Sequence, residues 1–494
     1  MRSYLKNFIS SFNYVSILYV FLWSFCIASR FASLGNPLID VDEGFYLFVG
    51  GQILKGAVPF VDIWDRKPIG LFLLYSFFHL FGPYRILAYQ IGATLCVGFT
   101  SMIVMKMAMA ISSPFGAFLA ALLYISCLNI AGGEGGQSPV FYNLLVAFSM
   151  YLIFKNVVEK KGRQPDIQKT AYAVMLIMGI SIQIKYTTLF EGIFSGLFLL
   201  FALYQKTKSI RVLSLQAVIW ICIACLPTIG VAVVYMMAGH GQEWWFANIA
   251  SIFHRGQRNH ALVRHQAAKM LEFTLPLLVS IPFRRIFCLG MTKQQKLCGR
   301  FFDLWTFSAL SGVAVFGSWY THYALPLFTP LTIVSAAYWN RSAGKIWMLL
   351  LLGYMTFKGQ TTIIKHQNSR GNKIVFQNIL SSMSKNKGCL FIYSGSPIFY
   401  DFANFCKMTT HPFPGHFHEY IERNSTGMDP LIETQHILSQ KPMYILSREP
   451  AIEGENMQVR QLLYQSLSSY YYPAYRVALK DNSIVVYKLT GSPK

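Results

Sequence analysis

The chain has 494 residues, 54% of them hydrophobic and only 13% charged, with a mean hydropathy of +0.39. Soluble domains carry about 25% charged residues, so this composition excludes an ordinary water-soluble globule and calls for many membrane spans. The formal net charge is +22, from 43 Lys and Arg against 21 Asp and Glu; because these cations fall largely in short loops between apolar runs, they fit orientation signals and contacts with membrane lipids and speak against nucleic acid.

In chain order, residues 1–12 hold Arg2 and Lys6, and residues 13–31 are apolar without a cleavage-like small-residue motif. That predicts a retained first helix with a cytoplasmic N-terminus. Further spans are predicted at about 86–111, 113–131, 138–154, 170–184, 187–204, 212–238, 270–289, 302–319, 322–340 and 345–362, making eleven in all. Each approaches the roughly 20 residues needed to cross. The proposed inside loops carry Lys155, Lys160, Lys161, Arg163 and Lys169, then Lys206, Lys208 and Arg211, then Arg284, Arg285, Lys293, Lys296 and Arg300, then Arg341 and Lys345. The turns at 131–137 and 320–321 hold no Lys or Arg, which is the positive-inside pattern. The basic loops around Arg66 and Arg255 break it, and an exception of that kind calls for an anionic ligand.

Two apolar stretches in the first loop are poor spans. Residues 43–54 place Phe45, Phe48, Val49 and Ile53 at helical spacing, which predicts an interfacial helix. Residues 68–81 are too short to cross and suit a re-entrant or interfacial segment. From about residue 363 the composition turns polar, with short apolar runs at Cys389–Tyr393, Met443–Leu446 and Ser483–Leu489 that read as strands. The expected organisation is a polytopic, mainly α membrane domain over 1–362 and a small α/β domain over 363–494, on the same side as Asp42. None of the nine cysteines has metal-ligand spacing. Cys26, Cys96, Cys127, Cys222 and Cys225 read as small core residues; Cys389 and Cys406 can pair only if the tail lies outside the cytoplasm.

Several residues carry chemistry. Asp40, Asp42 and Glu43 gather at a membrane boundary, where ionisable groups are costly and usually functional. Asp42 shares a helix face with Tyr46 and can serve as a general base; helix capping explains one of the three acids but not all. Arg66 and Lys67 precede Pro68 at a helix start, which suits phosphate or, alternatively, headgroup anchoring. Glu134 and Gln137 lie in AGGEGGQSP, a glycine-rich turn that is either a substrate contact or a tight interhelical turn with Gln137 or Ser138 as cap. Lys185 and Tyr186 sit between two apolar runs, where a lysine needs an anionic partner, water or the outer interface. Arg255 and Arg258 stand among His240, Glu243, Trp244, Trp245, His254, His260, Arg264 and His265, a mixture that suits a lipid phosphate or a sugar. His322 and Tyr323, with Trp319 and Tyr320, line a cavity or form an aromatic belt. His411, His416 and His418 match no standard metal motif and read as a loop-rich surface segment.

DEGFY at 42–46, KG-VPF-D at 55–62, D-KP at 65–68 and HYALPLFTPL at 322–331 together resemble the GT-C superfamily of integral membrane glycosyltransferases. The resemblance is to bacterial members of the protein O-mannosyltransferase and lipid A aminoarabinose or galacturonic acid transferase group (glycosyltransferase family 39/83-like). It spans residues 1–362 in architecture, but only these short motifs are specific. It implies inverting transfer of a sugar from a polyprenyl-phosphate donor to a lipid, glycan or protein acceptor, in the bacterial inner membrane with the active site facing the periplasm or exterior. By the same resemblance, Asp42 matches the base and Lys67 the lysine that holds the donor phosphate. Arg66 stands where the aminoarabinose transferases carry a metal-binding glutamate, so neither their divalent metal nor any other cofactor is carried over. Gln137 stands near where relatives carry an acid, which leaves Glu134 as the acidic candidate there.

Lys67, Arg66, Lys185, Arg255 and Arg258 are therefore the expected phosphate-binding set, with Glu43, Tyr46, Glu134, Gln137, His322 and Tyr323 as expected substrate contacts. Two other classes compete. A transporter or flippase of lipid-linked sugars predicts internal repeats and broken helices at the midplane, and no repeat relates the two halves. A scaffold presenting the C-terminal domain leaves Asp42, Lys67 and Lys185 near lipid without a reason.

Overall fold

The computed structural model describes residues 2–159, 166–256, 260–287, 290–317, 319–383, 388–403 and 406–491. Apolar helices follow the predicted order: α1 (Arg2–Arg30), two helices in the first loop, α2 (Val41–Ile53) and α3 (Ile69–His79), then α4 (Arg85–Ala108), α5 (Pro114–Ile130), α6 (Ser138–Ile153), α7 (Ile167–Ile182), α8 (Leu189–Thr207) and α9 (Ile210–Met237). Further helices cover His260–Leu278, Ser280–Phe287, Lys293–Phe316, Leu325–Ser335 and Ser342–Arg370. Among the described residues, five helical stretches are long and apolar enough to cross a bilayer: Tyr14–Ser33, Gly82–Ala108, Ser138–Val158, Tyr186–Thr207 and Ile210–Met237. The span predicted at 270–289 is split between two helices, the first of which contains Pro276; proline removes a backbone donor and crowds the preceding turn. The exposed side chains of α9, including Leu215, Ile221, Ile229 and Val234, are what a lipid-facing helix requires.

The chain forms two compact units. One comprises 1–34, 91–229 and 260–363, and is built from the membrane helices. The other comprises 35–90, 230–259 and 364–494, so the first loop and the C-terminal region fold together. In that unit α2 crosses α3 at Gly50: a Cβ there would lie 2.6 Å from the Ser76 backbone nitrogen and 2.7 Å from the Tyr75 carbonyl carbon. Gly50→Ala is expected to force the helices apart at a cost of about 1–3 kcal/mol, visible as a lowered melting temperature. Where sequence periodicity suggests one buried face for α2, residues 43–51 are buried all round. The second face is covered by the C-terminal region; a Cβ on Gly44 would meet Ser396 Oγ at 2.9 Å and Ile398 Cβ at 3.1 Å.

The C-terminal region holds a four-stranded sheet in the order β1-β2-β4-β3. Its strands are β1 (Leu390–Ile392), β2 (Tyr444–Glu449), β3 (Tyr471–Ala478) and β4 (Ser483–Leu489). β1 and β2 run parallel, and the other pairs are antiparallel. Its core joins Phe391, Tyr393, Phe417, Ile445, Val459 and Leu463. Cys389 and Cys406 form a disulfide at its edge.

His418 is buried at the side of this core. Burial, then Arg448 and Arg460, pull its pKa from 6.5 down to about 3. The unfolded chain binds a proton near 6.5 that the folded chain refuses, so stability falls as pH drops from 6.5 towards 3, by at most about 1.4 kcal/mol per unit. The melting temperature is expected to decline over that window and His418→Gln to flatten the decline. An unchanged slope in the variant would remove His418 as its source.

Candidate functional site

The first loop assembles its charges through local geometry. Asp40, in extended backbone, is the N-cap of α2: its carboxylate accepts the Asp42 N–H at 2.9 Å. Arg370 holds the other Asp40 oxygen at 3.0 Å. The capping role thus falls to Asp40, and Asp42 and Glu43 occupy the first helical turn. Glu43 is fully buried and interacts with Tyr75 and Tyr89. Asp42 points elsewhere, with its Oδ1 3.6 Å from the Lys67 ammonium and its side chain 23% exposed.

Lys67 is fixed from several sides. The Asp65 carboxylate accepts the Lys67 backbone N–H at 2.9 Å and its ammonium at 3.2 and 3.3 Å. The ammonium also lies over the rings of Phe413, Tyr46 and Phe45, at 4.9, 5.4 and 5.7 Å. These contacts are cation–π attractions in a partly dry setting. Burial lowers the Lys67 pKa, but Asp65 and then Asp42 outweigh it, so the net shift is upwards from 10.5 and the group is a cation at neutral pH. Tyr46 stacks edge-on against Tyr75 at 5.3 Å and Phe72 at 6.4 Å, which sets the floor beneath the ammonium.

Arg66 points to a different partner. Its two Nη atoms donate to the Glu422 carboxylate at 3.0 and 2.6 Å, and Nη2 also donates to Ser425 Oγ at 2.8 Å. Arg255 reaches the same carboxylate at 2.8 Å. Burial raises the Glu422 pKa, yet Arg255 and Arg66 overwhelm it and hold the carboxyl well below the usual carboxylate range. Trp64 packs between these groups and the histidine segment: its backbone N–H donates to the Thr410 carbonyl at 2.7 Å. Its ring stacks on His411 at 5.2 Å and meets His416 edge-on at 5.0 Å. His416 and His418 are buried, which overturns the surface reading of this segment. The reason is packing: Trp64 and Phe413 take the His416 ring on one side, and Tyr393 takes His418.

Asp42, Glu43, Tyr46, Arg66, Lys67 and Arg255 therefore belong to one unit. Arg258 lies outside the described residues. Lys185, Glu134, Gln137, His322 and Tyr323 belong to the other unit. There, Lys185 lies over the Tyr323 ring at 5.8 Å, and both line a narrow cleft together with Tyr142, Thr187 and the buried Glu191. His322 stacks on Tyr320 at 5.4 Å. Glu134 and Gln137 are buried in a turn that Arg30 ties down through the carbonyls of Gly133 and Gly135, at 2.5 and 2.6 Å. Sequence reasoning missed Asp65 as the standing partner of Lys67, and also Phe413, Glu422, Ser425 and Glu191. DRKP does place Asp65 two residues before Lys67, a spacing that allows a local side-chain-to-backbone turn; the others carry no sequence signal. Among the described residues no three His, Cys, Asp or Glu side chains are grouped as metal ligands.

The chain has the fold of the GT-C membrane glycosyltransferases. Among solved structures it is similar to ArnT from Cupriavidus metallidurans bound to undecaprenyl phosphate, with a TM-score of 0.58 and 13% identity, covering 98% of this chain and 99% of that one. The same ArnT in its apo state matches with a TM-score of 0.58 and 12% identity, covering 97% and 98%. An oligosaccharyltransferase from Archaeoglobus fulgidus, tethered to an acceptor peptide with the NVT sequon, matches with a TM-score of 0.51 and 8% identity, covering 96% and 75%. No family model matches the sequence, and no curated protein matches it.

Proposed function

We propose that the protein is an inverting glycosyltransferase that moves a sugar from a polyprenyl-phosphate donor to an extracytoplasmic lipid, glycan or protein acceptor. The observation that carries this reading is the pairing of Asp42 with Lys67 at 3.6 Å, with Asp65 holding the ammonium from behind. The Asp42 carboxylate takes the proton of the acceptor hydroxyl. The acceptor oxygen then bonds to the anomeric carbon from the face opposite the phosphate, and the sugar–phosphate bond breaks. The electron pair leaves on the polyprenyl phosphate, whose charge Lys67 neutralises, helped by Arg66 and Arg255. Asp65 keeps Lys67 paired after Asp42 has taken the proton.

The GT-C fold supports this reading, and so does the binding of undecaprenyl phosphate by the structurally similar ArnT. We place the membrane domain at 1–362 and the C-terminal domain at 363–494, in a bacterial inner membrane, with Asp42 and the C-terminal domain on the periplasmic or outer side. A disulfide between Cys389 and Cys406 suits such an oxidising compartment. The deciding experiment measures transfer of labelled sugar from polyprenyl phosphate by membranes containing the wild type or Asp42→Asn at equal expression. Full transfer by the variant would refute the base assignment.

A further inference from the structure

The two arginines offered to the donor phosphate already hold an anion. The Glu422 carboxylate receives a two-pronged fork from Arg66, a second guanidinium from Arg255 and the Ser425 hydroxyl at 2.8 Å. Two converging guanidinium groups and a hydroxyl make the arrangement proteins use to bind phosphate oxygens. The cluster also retains unused hydrogen-bonding capacity: among the described residues, the buried Arg66 Nε, Trp64 Nε1 and His416 Nδ1 find no partner. Buried polar atoms of this kind are normally satisfied, and each left unsatisfied calls for an explanation. A carboxylate offers two oxygens, whereas a phosphate offers more and in more directions. Glu422 ends a short turn, Tyr420–Glu422, in which the Ile421 carbonyl accepts the Gly256 N–H at 3.2 Å. One turn of the C-terminal region thus closes over both the first-loop arginine and the one at 255.

We propose that Glu422 is an exchangeable counter-anion: it occupies the Arg66–Arg255 clamp while the donor is absent and yields it to the phosphate group of the incoming lipid. This rests on the transferase reading above and adds a role for the C-terminal region as the part of the protein that competes for the donor site. Loading then requires the open form, so the apparent affinity for donor phosphate is reduced by the fraction of molecules in which Glu422 has left the clamp.

The test uses full-length protein in nanodiscs with undecaprenyl phosphate and inorganic phosphate as separate probes. Glu422→Gln removes the competing charge and is expected to tighten undecaprenyl phosphate binding by about tenfold, as when an open fraction of roughly one tenth becomes the whole. Unchanged or weaker binding in a variant that melts like the wild type would overturn the proposal and leave Glu422 a structural tie. Tightening confined to inorganic phosphate would overturn the lipid as the ligand. Glu422→Asp keeps the charge and draws it back from the clamp by one methylene, leaving Arg66, Arg255 and Ser425 in place, and is expected to tighten binding by about two- to threefold; if Glu422→Gln does not fold, an unchanged affinity in Glu422→Asp overturns the proposal. Wild-type binding that is insensitive to Lys67→Met counts against the transferase reading itself, whereas Lys67-dependent binding without the Glu422 effect counts against the counter-anion alone.

Discussion

Asp42→Asn is expected to lower the rate of sugar transfer by about 10²–10⁴-fold, the range lost with a general base, while leaving folding and membrane insertion intact. Asn keeps the shape and sits where the side chain is only partly buried, so the melting temperature should change little. The cap of α2 survives, because Asp40 supplies it. Glu43, one residue along, cannot substitute; it is fully buried and directed to Tyr75 and Tyr89. Asp40→Asn is the control: asparagine caps nearly as well as aspartate, so it should retain transfer. Should Asp40→Asn abolish transfer and Asp42→Asn spare it, the base has been misassigned within the acidic cluster.

Lys67→Met is expected to lower kcat by about 10²–10³-fold, the loss typical of removing one group that stabilises developing negative charge. It has a second consequence. The side chain is 13% exposed and its partner Asp65 only 2%, so removing the ammonium strands a buried carboxylate, at a cost of about 3–5 kcal/mol. The two effects separate in Lys67→Met/Asp65→Asn, where the stranded charge is gone: melting should recover and transfer should not. Recovery of transfer along with melting would show that Lys67 acts only by holding the loop together.

The membrane helices were legible because crossing a bilayer imposes a length and an apolarity that a single sequence displays directly. The first-loop acids and the DRKP motif were legible because charge at a membrane boundary needs a reason. Which acid caps the helix was not, since Asp40 and Asp42 are both credible caps by spacing and only the backbone angles decide. The strand Tyr471–Ala478 was missed: it contains Pro473 and is mostly exposed, so it lacks the apolar run that marks its neighbour Ser483–Leu489. Glu422 was beyond reach for another reason. It lies 356 residues from Arg66, and no local pattern announces a pairing over that distance. The buried histidines were misread because polar, turn-rich sequence usually lies at the surface, whereas here Trp64 and Phe413 cover it.

The join between the first loop and the C-terminal region sets an order of events during synthesis. The ribosome makes Lys67 early and Phe413 late, yet the ring of one lies against the ammonium of the other, and Trp64 waits just as long for the Thr410 carbonyl. A nascent chain halted before that point has already threaded its helices into the bilayer but holds an unfinished loop. Insertion of the helices and completion of the loop therefore fall at separate moments, and a copy truncated before Thr410 keeps the membrane helices while lacking the carbonyl and the ring that finish the loop.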